Sequence, residues 1–306
     1  MRITVLGAAA GGGFPQWNCN CRQCAGVRAG SLRAKARTQS SIFVQGNDGV
    51  DGVLFNASPD ILQQIRANPV LQPARAARDS AIAGVVLMDG QVDHVTGLFM
   101  LRERSSPLPI WCTDEVVDDL THGNPVLRVL GHFCGVQRQR IAIDGTPFTV
   151  PGVAGLRFCA LPLSSKAAPY SPHRDNPTPG DNIGMLISDT ASGKTVFYAP
   201  GLGEISPAVF DAMHGADVVM VDGTFFTDDE MPALGLSKKT ARSIGHLPQT
   251  GPGGMLSWLD QLPASTRRLL IHINNTNPVL DEDSAAHALL RQHGVALCED
   301  GMLIEL

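Results

Sequence analysis

Short runs rich in β-branched and aliphatic residues recur along the chain, and this feature most constrains its fold. Apolar runs of this kind, bounded by Gly, Pro, Asn and Asp, predict β-strands. The predicted strands are Ile3–Leu6, Ser41–Val44, Val53–Asn56, Gly84–Met88, Pro109–Cys112, Leu156–Leu163, Gly184–Ser188, Thr195–Tyr198, Asp217–Val221 and Arg268–Ile273. Because the early strands come in hairpin-like clusters, we expect mixed sheets.

Helical segments alternate with some of these strands. Ser58 to about Ala67 and Ser206–His214 both begin with a Ser-Pro pair, which is typical of an N-cap followed by proline in the first turn. A third helix is predicted over Asp281–His293, and Gly294 is expected to end it. Helices outside two packed sheets make an α/β fold, and we predict an α/β/β/α sandwich of two mixed sheets.

Composition narrows the class of protein. The 306 residues carry a formal net charge of -5, and no linker, charge block or repeat divides them, so we expect one domain over residues 1–306. The mild acidity argues against nucleic acid as a partner, since phosphate binding requires a basic face. No apolar run approaches the roughly 20 residues that cross a membrane. The apolar start Met1–Gly7 lacks a typical cleavage site, so we expect a cytoplasmic protein with reduced cysteines.

Three cysteines lie close together in a glycine-rich loop. The thiols of Cys19, Cys21 and Cys24 fall within six residues, a spacing that can wrap one soft ion. We interpret them as a structural Zn²⁺ site, with a fourth ligand from elsewhere, that stabilises the fold and performs no chemistry. Three unrelated cysteines are one alternative. A redox Cys-x-x-Cys pair is another, but it usually opens a helix, which the following Ala-Gly does not clearly supply.

Polar residues stand where several predicted strands end. Asp222 follows Val221, and His272 lies at the end of Arg268–Ile273. The loop after another strand carries the adjacent pair Asp93-His94, which offers an oxygen and a nitrogen to one ion. Ligand sites in α/β proteins gather at strand ends, where side chains leave the buried sheet but remain rigidly held. We therefore predict an active-site metal held by Asp93, His94, Asp222 and His272.

The segment Asp89-Gly-Gln-Val-Asp-His94 resembles the His-x-His-x-Asp-His signature of the metallo-β-lactamase superfamily, which has the α/β/β/α sandwich fold. Asp89 and Gln91 stand where the first two histidines would be. No histidine lies near 163–164, where a third first-site ligand is expected. The second-site partners, with Asp222 as the bridging residue, are all present. The resemblance therefore implies one ion rather than a two-metal clamp for hydrolysis.

Longer motifs narrow this resemblance. The cysteine loop is shared with the PhnP phosphodiesterases. Over essentially the whole chain, the segments 7–19, 88–98, 245–248 and 272–278 resemble the coenzyme PQQ synthesis protein B family. That resemblance implies a role in making pyrroloquinoline quinone (PQQ) from a ribosomal peptide. It implies an iron-dependent hydroxylase that oxidises the tyrosine ring of a cross-linked Glu–Tyr intermediate. On the same grounds we expect a homodimer.

Ring hydroxylation with dioxygen requires an ion that changes oxidation state and has vacant positions. Two imidazoles and a carboxylate are the usual ligands of non-haem Fe(II), and His94, His272 and Asp93 match that set. We expect Fe²⁺ at this site, with other divalent ions able to substitute. A non-catalytic carrier of PQQ or a precursor, and a metal-dependent hydrolase, remain the alternatives.

Further residues have two interpretations each. His246 lies where phosphodiesterase relatives place a catalytic histidine, and its alternative role is structural. Asp89 and Gln91 act either beside the metal or as hydrogen-bond partners of the loop backbone. Asn275 is the proposed fourth zinc ligand, with water or a nearby histidine as the alternative.

The segment 164–181 is polar and proline-rich, long enough for a lid over the site. Its basic residues Lys166, His173 and Arg174 suit an acidic, amino-acid-derived PQQ precursor as substrate. The alternative is an ordinary surface loop.

Overall fold

Two packed β-sheets form the centre of the computed structural model, which describes residues 1–46 and 49–306. The first sheet has the order β13-β1-β2-β3-β4-β5-β6 and the second the order β12-β11-β10-β9-β8-β7. The strands of the first sheet are β1 (Arg2–Gly7), β2 (Ser41–Gln45), β3 (Gly52–Phe55), β4 (Ile82–Val86), β5 (Leu108–Cys112), β6 (Val136–Arg140) and β13 (Leu303–Glu305). Those of the second are β7 (Leu156–Pro162), β8 (Ile183–Asp189), β9 (Thr195–Ala199), β10 (Val218–Asp222), β11 (Arg267–Ile271) and β12 (Val295–Leu297).

Both sheets are mixed, as predicted. In the first sheet, β13, β1, β2 and β3 pair antiparallel, whereas β3 to β6 run parallel. In the second sheet, β7, β8 and β9 pair antiparallel, whereas β9 to β12 run parallel. The parallel strands β9, β10 and β11 therefore end at one edge of their sheet.

Helices cover the outer faces of the sheets. The helices are α1 (Arg22–Ala29), α2 (Ile61–Ala67), α3 (Val92–Val95), α4 (Asp114–Asp118), α5 (Val126–Leu130), α6 (Pro207–His214), α7 (Glu230–Ala233), α8 (Met255–Leu259) and α9 (Ala285–Gln292). Single turns of 3₁₀-helix lie at Pro69–Leu71, Arg242–Ile244 and Pro278–Leu280, a longer 3₁₀ segment lies at Thr96–Leu101, and a π-helical turn lies at Asp119–Gly123. Within residues 1–46 and 49–306, no helix combines the length and apolarity needed to span a membrane.

Three apolar layers hold these elements together. The middle layer lies between the sheets, where Phe55 of the first contacts Phe158 and Tyr198 of the second. One outer layer packs the first sheet against α2 and its neighbours, and the other packs the second sheet against α6, α8 and α9. This order of helix, sheet, sheet and helix confirms the predicted sandwich.

The strand predictions were confirmed with small shifts, β4 beginning two residues earlier than predicted, but β6, β12 and β13 were missed. All three lie at sheet edges. β6 has the polar sequence Val-Gln-Arg-Gln-Arg, and β12 and β13 have three residues each. Such strands form because a neighbouring strand offers hydrogen bonds, and their own sequence carries little signal.

Two helix starts were predicted wrongly. α2 begins at Ile61, because the Ser58 hydroxyl is buried and contacts the Gln64 side chain and the Asp60 amide instead of capping a helix. The predicted helix 281–293 begins only at Ala285, where Ser284 accepts a hydrogen bond from the His287 amide. The Ser-Pro signal at Ser206 was confirmed.

Replacement of Ser206 by alanine tests that cap. The Ser206 hydroxyl accepts a hydrogen bond from the Val209 amide, and its loss leaves a helix N-terminus unsatisfied. We expect the free energy of unfolding to fall by about 1 kcal/mol in urea titrations. Ser105→Ala, at an exposed serine outside any helix, serves as the control. Equal stability of both variants would contradict the role of the cap.

Candidate functional site

The ends of strands from both sheets meet at one edge of the sandwich. β10 ends with Asp222, and His272 directly follows β11. From the other sheet, the loop after β4 brings Asp89, and α3 carries Asp93 and His94. Backbone pairing of Asp89 with Asn182 joins this loop to the second sheet. The predicted residues therefore come together, although they lie far apart in the sequence.

Three of the four predicted ligands form one group. The donor atoms of Asp93, His94 and His272 lie within 4.8 Å of one another. Asp93 Oδ2 is 3.1 Å from His272 Nε2 and 3.9 Å from His94 Nε2. His94 Nε2 is buried and has no hydrogen-bond partner among the described residues. Two imidazole nitrogens and one carboxylate oxygen, one of them otherwise unsatisfied, fit a divalent transition-metal ion.

Asp89 orients one of these ligands. The His94 Nδ1–H donates to Asp89, at 2.7 Å to Oδ1 and 2.9 Å to Oδ2, and this bond turns Nε2 toward Asp93. A carboxylate behind a ligating histidine fixes its tautomer and raises its basicity. Gln91 lies differently, because its side-chain amide donates to the Lys166 carbonyl oxygen at 3.2 Å. Gln91 thus ties the metal-site loop to the segment 164–181.

A second group contains Asp222, His246 and His272. Asp222 Oδ2 accepts hydrogen bonds from His246 Nδ1 at 2.6 Å and from the Leu202 amide at 2.9 Å. Its Oδ1 accepts from the amide and the hydroxyl of Thr224, at 2.9 and 2.5 Å. The His246 ring stacks on the His272 ring at 5.5 Å. His246 therefore lies within the site, in contact with the predicted ligand Asp222.

His272 has an unusual backbone. Its φ is 62°, in the left-handed region that residues with a side chain rarely adopt. Its Nδ1 lies 2.8 Å from the Thr224 hydroxyl, which also bonds Asp222. Strained residues held by several contacts cluster at functional sites. The strain here places both nitrogens of one ring between Asp93 and Thr224.

Opposite charges dominate the electrostatics. Burial alone would lower the pKa of His94, but the carboxylates of Asp89 and Asp93 raise it to about 9. Burial would also lower the pKa of His246, but the carboxylate of Asp222 raises it above its usual value. Burial would raise the pKa values of Asp93 and Asp222, but the neighbouring histidines lower both. Without an ion, the raised pKa keeps His94 protonated near neutral pH.

The cysteine centre also forms. The Sγ atoms of Cys19, Cys21 and Cys24 lie within 4.8 Å of one another. The Asn275 side-chain Nδ2 donates to Cys24 Sγ at 3.4 Å and to Cys21 Sγ at 3.8 Å, so the amide NH₂ group and not its oxygen faces the thiols, and Asn275 as the fourth ligand stays a prediction. One expectation was wrong: Cys21 is the N-cap of α1 and Cys24 lies in its first turn, so the Cys-x-x-Cys pair does open a helix. The third thiol, which lies within ligand distance of the other two, favours a metal over a redox pair.

The segment 164–181 folds over the active site. Tyr170 donates to the Gly90 carbonyl oxygen, and Ser165 donates to that of Gly245 at 2.7 Å. Together with Pro169 and Arg174, Ser165 lines a cavity of about 330 Å³, which is also lined by Asp93, His94, His246 and His272. This volume is in the usual range for a small-molecule site. The segment therefore occupies the position expected of a lid.

The three predicted substrate-binding residues lie in different places. Arg174 lines the active-site cavity. Lys166 lines a neighbouring cavity of about 600 Å³, together with Arg242. His173 lies outside both, because its Nε2 bonds Asp118 Oδ2 at 2.9 Å. The structure thus brings Arg174 to the site and does not bring His173 there.

The sequence analysis missed other cavity residues. Thr224, Phe225, Lys239 and Asn182 line the cavity, and none belongs to a recognised motif. Only their positions next to strand ends could have indicated these residues in the sequence. Thr224 and Phe225 closely follow Asp222 at the end of β10, and Asn182 directly precedes β8.

Metal binding at the active site should depend on pH. Because the pKa of His94 is raised to about 9, the ion must displace a proton at neutral pH. The apparent affinity for Zn²⁺ should therefore rise about tenfold per pH unit between pH 6.5 and 8.5 for one released proton, and level off near pH 9. Calorimetry in buffers of different ionisation enthalpy measures the proton count directly. An affinity that does not change with pH, or no proton release, would refute this assignment.

The cysteine centre is tested by Cys24→Ser. We expect the zinc content to fall by about one ion per chain and the thermal midpoint to fall by about 5 °C or more, because ion binding contributes to folding. Cys159→Ser, at a half-buried thiol outside the centre, is the control. Asn275→Ala should change the visible spectrum of the Co²⁺-loaded protein if the amide is a ligand. Unchanged zinc content in Cys24→Ser argues against a metal site here.

Comparison with known proteins agrees with this geometry. Residues 52–273 match the model of the β-lactamase superfamily domain. The chain is 61% identical over 306 residues to coenzyme PQQ synthesis protein B of Azoarcus sp. (strain BH72), with all of both chains covered. It is 59% identical over 304 residues to the protein of that name from Cupriavidus necator, with 99% of each chain covered.

Solved structures show the same fold. The crystal structure of Zn²⁺-bound PqqB from Methylobacterium extorquens superposes with a TM-score of 0.91 at 36% identity, over all of both chains. A diphosphatase of the PhnP family, at 19% identity and a TM-score of 0.67, covers all of this chain and 97% of its own, and shares the fold alone. By sequence and by structure, the chain belongs to the coenzyme PQQ synthesis protein B (PqqB) family of the metallo-β-lactamase superfamily.

Proposed function

We propose that this PQQ-biosynthesis protein is a hydroxylase that uses Fe²⁺ and O₂ to oxidise the tyrosine ring of a cross-linked Glu–Tyr precursor. The observation that carries the proposal is the ligand group of Asp93, His94 and His272, in which the buried His94 Nε2 has no hydrogen-bond partner among the described residues. Two imidazoles and a carboxylate leave coordination positions for other molecules. The Zn²⁺-bound relative from Methylobacterium extorquens supports metal binding in this family.

Different residues of the site bind the ion and orient its ligands. Asp93, His94 and His272 would hold the ion, and Asp89 keeps His94 Nε2 directed at it through the bond to Nδ1. A bound Fe²⁺ supplies the change of oxidation state that chemistry with dioxygen requires. The Thr224 hydroxyl orients His272 through Nδ1.

His246 is the candidate for proton transfer. Its Nδ1 is held by Asp222 at 2.6 Å, which leaves Nε2 as the ring nitrogen that can exchange a proton with a ligand. His246 lines the cavity, and Phe225 packs edge-on against it with ring centres 5.9 Å apart. The apolar face of Phe225 provides a wall for an aromatic ring, and the raised pKa of His246 suits it to donate or accept a proton near neutral pH.

The hydrolase alternative requires a second ion, which this site disfavours. At the positions of the superfamily's first two histidines, Asp89 bonds His94 and Gln91 bonds the Lys166 backbone. The remaining group of Asp222, His246 and His272 shares His272 with the first, and both oxygens of Asp222 already accept two hydrogen bonds each. One ion per active site is therefore the better fit, and we propose oxidation rather than hydrolysis.

Anaerobic loading with Fe²⁺ tests the proposal. Fe²⁺-loaded protein should consume O₂ with the cross-linked Glu–Tyr compound and give a product heavier by one oxygen atom, seen by mass spectrometry. Removal of a ligand in His272→Ala or Asp93→Asn should lower the rate by about 100-fold or more, since even partners behind a ligand matter by about 10- to 100-fold. His132→Ala, at an exposed histidine outside the cavity, should keep full activity.

Circular dichroism should show that the ligand variants remain folded. Zn²⁺-loaded protein should bind the same compound without oxidising it. If Fe²⁺-loaded protein forms no hydroxylated product although it binds the compound, then a non-catalytic carrier becomes the better account. Hydrolysis by protein with two active-site ions would favour the hydrolase.

A further inference from the structure

One side-chain amide in the cavity has no role in the metal site. Asn182 is only 4% exposed and lines the cavity. Its Nδ2 is buried and has no hydrogen-bond partner within the described part of the chain. Its backbone, in contrast, is fixed, since its carbonyl accepts from the Leu163 amide at 2.9 Å and the residue pairs with Asp89. An unpaired buried donor costs about 1–3 kcal/mol, so a ligand that supplies an acceptor here gains from it.

A cationic group lines the same cavity. Arg174 is half-buried, and its partner within the described residues is the Ala167 carbonyl oxygen, with no ion pair to a carboxylate there. A guanidinium carries five N–H donors in a planar fork that matches a carboxylate. Most of these donors therefore remain for a ligand.

Both groups are connected to the loop of Asp89 and Gln91: Asn182 pairs with Asp89, and Gln91 bonds the carbonyl oxygen of Lys166, which adjoins the Arg174 partner Ala167. Asp89 and Gln91 stand at the positions where the superfamily signature would place ligands of a first metal. The Asp89 carboxylate accepts hydrogen bonds from His94 and from the Gln91 amide, and within the described residues it forms no ion pair with Arg174. A cation next to the guanidinium would be repelled, whereas an anion would be attracted.

We propose that Arg174 and Asn182 form a carboxylate-binding subsite, which takes the tyrosine α-carboxylate of the substrate and so places the attached aromatic ring between Phe225 and the metal ligands. The identity of the substrate rests on the proposed function. The subsite itself depends on binding and not on oxidation. The Arg174 guanidinium supplies a charge-assisted, bidentate contact to the carboxylate. Asn182, whose backbone is fixed, adds a hydrogen bond from its side-chain amide.

The test measures binding to Zn²⁺-loaded protein, in which oxidation does not interfere. The two probes are the cross-linked Glu–Tyr compound and the same compound without the tyrosine α-carboxylate, titrated by calorimetry. The variants are Arg174→Met and Asn182→Leu, and Arg242→Met is the charge-matched control from the neighbouring cavity. Arg174→Met should weaken binding of the full compound by about 10-fold or more, and Asn182→Leu by a smaller factor.

The compound without the carboxylate should bind weakly to the wild type, and neither variant should weaken it further. Asn182→Leu should unfold at the same temperature as the wild type or a higher one, because it removes an unpaired buried amide. A purely structural Asn182 would instead lose stability on this change.

Three outcomes would overturn the subsite: binding of the full compound unaffected by either variant, equal weakening of both probes, or no binding of the full compound to the wild type. The two proposals fail separately. Carboxylate-dependent binding without hydroxylation by Fe²⁺-loaded protein rejects only the hydroxylase. Hydroxylation with variants that bind like the wild type rejects only the subsite.

Discussion

The carboxylate of Asp222 is the contact on which the site depends. It ends β10 and accepts hydrogen bonds from three separate loops: the Leu202 amide after β9, Thr224 after β10, and His246 from the segment before α8. An ionised carboxylate has about four lone-pair positions, and here all are used. Fully satisfied buried charges hold loops in one arrangement. Through Thr224, the same network fixes His272, so the geometry of the ligand group follows from one buried anion.

The segment 272–277 links the two candidate metal centres. It begins with the ligand His272, and three residues later Asn275 contacts the thiols of Cys21 and Cys24. Asn277 donates to the carbonyl oxygens of Gly223 and Thr224, and the Ile273 amide donates to Ala8 in the strand-to-loop junction that precedes the cysteines. Disorder in the cysteine loop would therefore also displace His272, because a short, hydrogen-bonded stretch of backbone connects the two.

The predictable part of the site consists of residues whose signal is local. Asp222 and His272 follow apolar runs, and the Cys19–Cys24 spacing is visible in the sequence itself. The unpredictable part depends on contacts across the fold. Ser206 caps a helix, but Ser58, in the same Ser-Pro context, is buried against Gln64. Asn182 has no motif, since its place beside Asp89 arises only when the two sheets pack together.

The residue at position 89 shows how one fold can change its chemistry. A histidine there would point a nitrogen at a first metal, whereas Asp89 instead bonds His94 from behind and strengthens the second site. Arg174 lines the same cavity, and a first ion next to its guanidinium would be repelled. In our proposal, the absence of that ion and the presence of this cationic side chain are therefore linked electrostatically. The fold alone would indicate hydrolysis, whereas the donor set of Asp93, His94 and His272 fits one divalent ion, so the function has to be argued from the site.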